Sequence, residues 1–346
     1  MNRSRLVLFV SVVIVALGVT AGLGVLWLDS ARADVGPLPG EGLVLPAETR
    51  FVMGIDVKRF TASPMFARYA AREGMRPKAM RDLEEKTGLD LARDIDQVVV
   101  AGSREGGPKA KPLVLVLGRF DLEKIGETLK AEAKANPRTH EGVTLFGFAD
   151  KSGPSTVAFL DEQTLLFGPS DRVEVVAASH ARGATPFREN AEMLALVESV
   201  KPGSTFWMVG DKTALAALPS AIPGQGGSAA MNLPPLQSLT LTGDLDPQIS
   251  LALTGVAADE TGATKLADVV RGFIALMSLQ AQQKPELQQL ASAFSVSTET
   301  NRVLISARIP YELLDALQPK KKEVPVGVTA EASAAEAEES AAVTPE

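Results

Sequence analysis

Two stretches of the chain share one pattern of hydrophobic and polar positions. FVMGIDV at residues 51–57 alternates as a strand does and reaches a charged turn at Asp56. TFWMVGD at residues 205–211 repeats the pattern in the second half of the chain and ends at Asp211. Alternation with a period of two predicts a strand at both places. A strand that runs into a charged turn in both halves is the first indication of an internal duplication.

The rest of the first half predicts further hairpins and helices. Short apolar runs at 97–103 and 111–120, separated by a Gly/Pro-rich turn, are typical of a hairpin. An amphipathic helix follows, with Leu122, Ile125 and Leu129 aligned on one side. Two more strand patterns and the helix RVEVVAASHA complete the order β-α-β-β-α-β-β-α.

The second half follows the same order of elements and is predicted to be one strand shorter. Residues 236–257 form a hairpin pattern that turns at DLDPQ, and a second hairpin turns near Asn301. Between them, residues 263–279 predict a helix with one apolar stripe, formed by Leu266, Val269, Phe273 and Met277. We therefore expect an α+β fold made of duplicated β-α-β-β-α-β-β-α units, with antiparallel sheets and helices packed on one face.

Residues 6–28 form an uninterrupted apolar segment of 23 positions without a charge. As a helix the segment would reach about 34 Å, enough to cross a hydrocarbon core of about 30 Å. Arg3 and Arg5 precede it and Asp29 follows it, so the N-terminus should stay in the cytoplasm. We expect a single-pass anchor in the cytoplasmic (inner) membrane that places the body in the periplasm or outside. The small-x-small sequence ending at Ala33 leaves a cleaved signal peptide and a periplasmic protein as the alternative.

The body is flanked by segments of low complexity. A Pro/Gly-rich spacer precedes it, and the Ala/Glu-rich tail has too few apolar residues to offset its ordering entropy. The predicted organisation is a signal anchor at 1–33, a linker at 34–45, a first repeat at 46–183, a connecting helix at 184–204, a second repeat at 205–318 and a disordered acidic tail at 319–346.

Composition narrows the possible chemistry. The chain has no cysteine, which excludes disulfides, thiolate metal sites and cysteine nucleophiles. The formal net charge is −7 and the sequence contains no basic stripe, so we expect no nucleic-acid partner. His140 and His180 stand alone, outside any metal-binding spacing, and no phosphate-binding or nucleophile-elbow motif occurs. We expect no metal and no cofactor.

Asp56 and Asp211 are the two candidate binding residues. Each ends a strand where the chain must turn, and an aspartate there accepts bonds from the following backbone N–H groups. The sharper hypothesis is a paired-carboxylate site to which each half contributes one aspartate. The acidic stretches at 90–96 and 244–247 are alternative candidates for calcium, although turn chemistry explains both.

The series LPAETRFVMGIDV, ASPMF, KTGLDLARDIDQVVVAG, PLVLVLGRFD, GVTLFGF and VAFLDEQTLLFGPSDRV resembles a group of uncharacterised bacterial envelope proteins. The resemblance covers residues 46–180 in sequence and 205–317 in order of elements. It implies a duplicated α+β ectodomain behind an N-terminal signal or anchor, and it implies no activity and no catalytic residue.

The leading hypothesis is a non-enzymatic ectodomain, tethered by residues 6–28, that binds an envelope protein or supports an envelope assembly. The alternative is an exported protein that binds a small molecule or lipid in an apolar groove between the repeats, lined by the helix 263–279 with Met277 and Met231. A third hypothesis, a carboxylate hydrolase, requires Asp56 with Asp211, or Asp94 with Asp244, to converge in a cleft.

Overall fold

We describe the protein from a computed structural model, which carries residues 44–70, 84–85, 88–103, 111–133, 135–150, 153–216, 234–280 and 285–317. The strands are β1 (Phe51–Asp56), β2 (Ile95–Gly102), β3 (Leu113–Gly118), β4 (Asn136–His140), β5 (Val143–Asp150), β6 (Gly153–Asp161), β7 (Thr164–Pro169), β8 (Phe206–Asp211), β9 (Leu236–Asp244), β10 (Ile249–Ala257), β11 (Phe294–Glu299) and β12 (Arg302–Ile309). The α-helices are α1 (Val57–Ala62), α2 (Pro64–Ala70), α3 (Leu91–Asp94), α4 (Leu122–Ala133), α5 (Ser170–Ala181), α6 (Ala191–Glu198), α7 (Lys212–Leu215), α8 (Glu260–Gln280), α9 (Pro285–Ser292) and α10 (Tyr311–Leu317).

All twelve strands belong to one antiparallel sheet, so the protein is a mixed α+β structure. The strand order is β11-β12-β10-β9-β8-β1-β2-β3-β7-β6-β5-β4. The predicted hairpins β2–β3, β9–β10 and β11–β12 are confirmed by their pairing. β1 and β8, the two strands that share one hydrophobic pattern, lie side by side at the centre, with Met53 opposite Met208.

Outward from this central pair, the two sides of the sheet follow similar orders. One side runs β8-β9-β10-β12-β11 and the other runs β1-β2-β3-β7-β6, followed by β5 and β4 at the rim. In each half the third strand therefore pairs with the last strand of that half. Within the described ranges the first half has seven strands and the second has five, so the difference is larger than the single strand expected from the sequence.

The three central seams of the sheet each contain an aromatic residue directly opposite a glycine. Phe51 faces Gly102 across β1–β2, and Trp207 faces Gly54 across β8–β1. Phe206 faces Gly243 across β8–β9. In all three pairs the ring occupies the position that a Cβ on the glycine would fill. A shift of one residue would place each ring against a larger side chain, so these pairs hold the register of the central strands.

Alternate residues along each strand point to opposite sides of the sheet. We name face A the side that carries Met53 and its neighbour Val100, and face B the side that carries Val52 and Ala101. In the first half both faces are covered, because α4 packs on face A whereas α5 and α6 pack on face B. The prediction that helices cover one face is wrong for this half. β2 and β3 are apolar on both sides, and strands of that kind need cover on both sides.

The second half of the sheet is covered by α8 on face A, where Ala263, Leu266 and Ala267 pack against Ala257 and Val303. Its other side is polar. Face B of β9, β10 and β12 carries mainly serine, threonine and arginine, at Ser238, Thr240, Thr242, Ser250, Thr254, Arg302, Ser306 and Arg308. An apolar side covered by helices and a polar side without them are typical of an antiparallel sheet, and here Ser306 and Arg308 on β12 are exposed, whereas Ser238 and Thr242 on β9 are buried.

The N-terminal boundary of the body lies slightly earlier than the sequence suggested. Val44 and Leu45, predicted to be the last part of the linker, are buried in the main core with Val52 and Val209. The predicted anchor, the linker up to residue 43 and the tail 319–346 lie outside the described residues. Among the described helices none has the length and apolar character needed to cross a membrane.

We expect Gly54→Ala to destabilise the protein by about 2 kcal/mol, because the added methyl group must displace the indole of Trp207 from a packed seam. Urea denaturation followed by far-ultraviolet circular dichroism measures the loss. Gly147→Ala on β5 is the matched control, since a Cβ there meets only the hydroxyl of Thr156 at 4.0 Å. Equal stability of the two variants would contradict the role assigned to the central seam.

Candidate functional site

Asp56 caps the helix that follows its strand. Its Oδ1 accepts a hydrogen bond of 2.9 Å from the backbone N–H of Arg59, in the first turn of α1. Its Oδ2 lies 3.1 Å from Nε of the same arginine. Both oxygens therefore have partners within α1, and capping accounts for the aspartate.

Asp211, at the end of β8, caps the helix α7 that follows, and its side chain is more deeply buried than that of Asp56. Its Oδ1 accepts from the backbone N–H groups of Thr213 at 2.8 Å and Ala214 at 3.0 Å, which begin α7. Its Oδ2 lies 3.3 Å from Nη1 of Arg50, the residue that precedes β1. The capping role that the sequence predicted for Asp56 and Asp211 is therefore confirmed for both.

The structure separates these two aspartates instead of bringing them together. β1 and β8 are antiparallel, with Phe51 opposite Gly210, so Asp56 and Asp211 lie at opposite ends of this strand pair. The backbone N–H of Asp56 donates to the carbonyl of Thr205, six residues before Asp211. Six residues of strand span about 20 Å. The paired-carboxylate site is ruled out for this pair.

The second proposed pair, Asp94 and Asp244, is also divided. Asp94 precedes β2 and Asp244 ends β9, and the three strand spacings between β2 and β9 amount to about 14 Å. Asp244 Oδ1 accepts from the N–H of Thr205 at 2.6 Å and from its hydroxyl at 3.2 Å. With neither pair convergent, the carboxylate hydrolase loses its geometric basis.

The acidic stretch at 90–96 is occupied by its own turn. The Arg93 guanidinium donates to both carboxylate oxygens of Asp94, and this bond holds the pKa of Asp94 below its ordinary value. Asp90 caps α3 through Ala92 and Arg93. Within the described ranges no group of three or more acidic or histidine side chains is placed to hold a metal ion.

A contact that the sequence did not indicate joins the two halves away from the central seam. The Tyr311 hydroxyl, at the start of α10, donates to the buried carbonyl of Leu245. The Arg68 guanidinium of α2 lies 5.0 Å from the centre of the Tyr311 ring and pairs with Asp315. Burial raises the pKa of Tyr311 to about 12. The cluster fixes α2 of the first half against α10 of the second.

The outward side of α8 is the most prominent apolar surface among the described residues. Phe273 and Leu276 are each 42% exposed and Leu279 is 66% exposed. The sequence placed Phe273 in the buried stripe with Leu266, and that expectation is wrong for Phe273. Leu266 packs on the sheet near the start of α8, whereas Phe273 lies two turns further along the helix and is exposed. We call Phe273, Leu276 and Leu279 the α8 apolar face.

The predicted groove between the halves is not where α8 lies. α8 packs mainly on β10, β12 and β11, the outer strands of the second half. Along the centre, face A carries a half-buried apolar row made of Phe51, Met53, Phe206, Met208 and Leu241. These two surfaces, the α8 apolar face and the central row, are the binding candidates that tertiary structure adds to the sequence.

Replacing the two capping aspartates separates capping from any direct role in binding or chemistry. We expect Asp211→Ala to lower the free energy of unfolding by about 2 kcal/mol and Asp56→Ala by about 1 kcal/mol. Asp211 is buried and satisfies two N–H groups, whereas Asp56 is more exposed and satisfies one. Urea denaturation gives both values. An Asp211→Ala protein as stable as the wild type would contradict the capping role of Asp211.

Tyr311 predicts a dependence of stability on alkaline pH. Its folded pKa lies above the unfolded value of about 10, so its contribution is complete below about pH 10 and falls as the pH rises toward 12. Tyr311→Phe has no such titration and lacks the bond to Leu245, which costs about 1 kcal/mol at neutral pH. The difference between the urea midpoints of the two proteins should stay constant up to about pH 10 and shrink between about pH 10 and about pH 12. A difference that stays constant over that higher range would contradict the assignment.

Comparison with known proteins gives two distant matches. No family model and no curated protein matches the chain. Among solved structures, crystal form III of TP0453 is 12% identical, covers 82% of this chain and 97% of its own, and has a TM-score of 0.44. Crystal form I of TP0453 is 13% identical, covers 82% of this chain and 96% of its own, and has a TM-score of 0.43. Similarity at this level assigns neither family nor function.

Proposed function

We propose that the protein is a non-enzymatic ectodomain, tethered to the cytoplasmic membrane by residues 6–28, that binds a protein partner or supports an envelope assembly. The observation that carries the proposal is the position of Val44 and Leu45. Both are buried in the main core, close in sequence to an apolar segment of 23 uncharged residues. A membrane span would thus be joined to a folded body through a short spacer.

The length of the spacer limits how far the body can lie from the membrane. Residues 29–43 reach at most about 50 Å when fully extended. A body held within that distance of a bilayer meets membrane and envelope partners at high effective concentration, so a small binding surface is sufficient. The α8 apolar face and the central row of face A are surfaces of that kind.

We also infer that the two halves of the body are copies of one unit. The support is the matching strand order outward from β1 and β8, together with the equivalent helix caps at Asp56 and Asp211. On this proposal β4 and β5 are an addition to the first copy at the rim of the sheet. A duplicated body carries a partner-binding surface without needing a catalytic cleft.

The second candidate is an exported protein that binds a small molecule or lipid. The half-buried central row of face A favours it, since Met53, Met208 and Leu241 form an adaptable apolar surface between the halves. A ligand of this class would lie along β1 and β8. The tether is not required for this function, and the experiment below therefore distinguishes the two candidates.

Fractionation of cells that carry a C-terminally tagged full chain tests the tether. We expect the protein in the membrane fraction after an alkaline wash, with a first tryptic peptide that begins before residue 30 and with reproducible cross-linked envelope proteins. The matched variant Ile14→Asp with Leu17→Asp should leave the membrane fraction, because two charges in the apolar segment oppose insertion. A soluble wild-type chain that begins at Asp34 would refute the tether, and lipid recovered from that purified form would support the second candidate.

A further inference from the structure

We propose that a second copy of this chain docks on the rim formed by β11 and the C-terminal half of α8, giving a two-fold dimer in which the sheet continues from one copy into the other. Two different features of the same rim support this: an open strand edge and an exposed apolar helix face. The dimer does not depend on the membrane tether proposed above.

β11 is the last strand of the sheet on its side, and part of its backbone points outward. The Arg271 guanidinium approaches the Val296 carbonyl at 3.4 Å from α8, so this carbonyl is directed away from β12. In an antiparallel ladder the direction alternates, so Phe294 and Thr298 also present their N–H and C=O groups outward. Such a row is a template for pairing with another strand.

The opposite edge of the sheet is protected, and β11 is not protected in the same way. β4 has five residues and contains Pro137, which has no N–H to donate, and Arg138, which pairs with Glu174 on α5. Proline, charge and short length are the usual ways to prevent edge pairing. β11, with the sequence FSVSTE, has six residues and contains neither proline nor a basic residue, and the basic side chain that reaches its outer edge is Arg271 of α8, at the Val296 carbonyl.

The α8 apolar face lies at the same rim. Arg271 already reaches the edge strand, and Phe273, Leu276 and Leu279 follow within the next turns of the helix. Nothing lies within 4 Å of the position that a Cβ on Gly272 would occupy, so another helix can approach closely there. Asp268 and Arg271, which precede Gly272 on α8, pair with each other at 2.8 Å.

The surface area of the rim favours a second copy of this chain over a partner that would contact only the α8 apolar face. The three exposed side chains offer on the order of 300 Å² of apolar surface. A specific interface buries about 800 Å² per partner and at least about 1,000 Å² in total, so the α8 apolar face by itself is too small. Pairing of β11 with its counterpart adds on the order of 300 Å² per copy and brings the total above that threshold.

Two-fold symmetry places the β11 edge and the α8 apolar face in one interface. An antiparallel β11–β11 pair has its two-fold axis perpendicular to the sheet, so face A of both copies lies on the same side. The two α8 helices, both on face A near the axis, then cover each other's apolar faces. Val44 and Leu45 pack on face B in each copy, so these residues of both copies lie on the same side of the joined sheet.

A single introduced cysteine tests the interface, because the chain has no other cysteine. The full-length Ser297→Cys protein, in membranes or detergent, is treated with a short bis-maleimide and examined on a denaturing gel. Thr139→Cys on β4 is the matched control, since both residues are exposed on edge strands. We expect a product of two chains from Ser297→Cys and none from Thr139→Cys. Absence of that product, equal products from both variants, or a product with a foreign protein would overturn the proposal.

An independent measurement uses exposed side chains whose replacement should not affect folding. Leu276→Asp should lower the affinity between copies at least tenfold, measured as the dimer fraction by mass photometry or analytical ultracentrifugation in detergent. Val175→Asp is the control, because Val175 is 60% exposed on α5, away from the rim. A wild-type chain that is monomeric throughout the measurable range, or a Leu276→Asp chain that dimerises as the wild type does, would refute the dimer.

Discussion

The contact between β1 and β8 is the constraint on which the rest of the structure depends. These strands are distant in sequence, and their pairing makes one sheet out of what would otherwise be two. Trp207 lies over Gly54 in this seam, and Phe51 and Phe206 lie over glycines in the two flanking seams. A glycine opposite an aromatic ring provides a space that only the correct register fills. The central register therefore fixes where every strand further out can lie.

Once the sheet is continuous, its two faces determine how the helices are arranged. The first half has strands that are apolar on both sides and needs helices on both, which α4, α5 and α6 provide. The second half has one apolar side, which α8 covers, and one side of serine, threonine and arginine. The same order of strands thus supports two different packing arrangements, because side-chain polarity and not topology decides which faces must be covered.

α8 differs from the other described helices because one part of it packs on the sheet and another part exposes apolar side chains. Its first turns pack on the sheet through Ala263, Leu266 and Ala267, whereas its later turns carry apolar residues on the outside. A helix that is apolar on all sides normally has neighbours on all sides. The sequence GFIALMSL at residues 272–279 carries apolar residues around most of the helix. The prediction of one apolar stripe on α8 nevertheless assigned Phe273 to the core. The binding proposed for this protein therefore relies on extended apolar surfaces, the α8 apolar face and the central row of face A.

The sequence by itself determined the features that depend on neighbouring residues. Asp56 and Asp211 cap the helices that follow their strands, and three hairpins form where turns were expected, because these bonds join groups a few residues apart. Tertiary structure decided that the capping aspartates lie about 20 Å apart, that both halves share one sheet and that Tyr311 bonds Leu245. Those outcomes depend on contacts between distant residues, whose partners are selected by packing complementarity that no local pattern encodes.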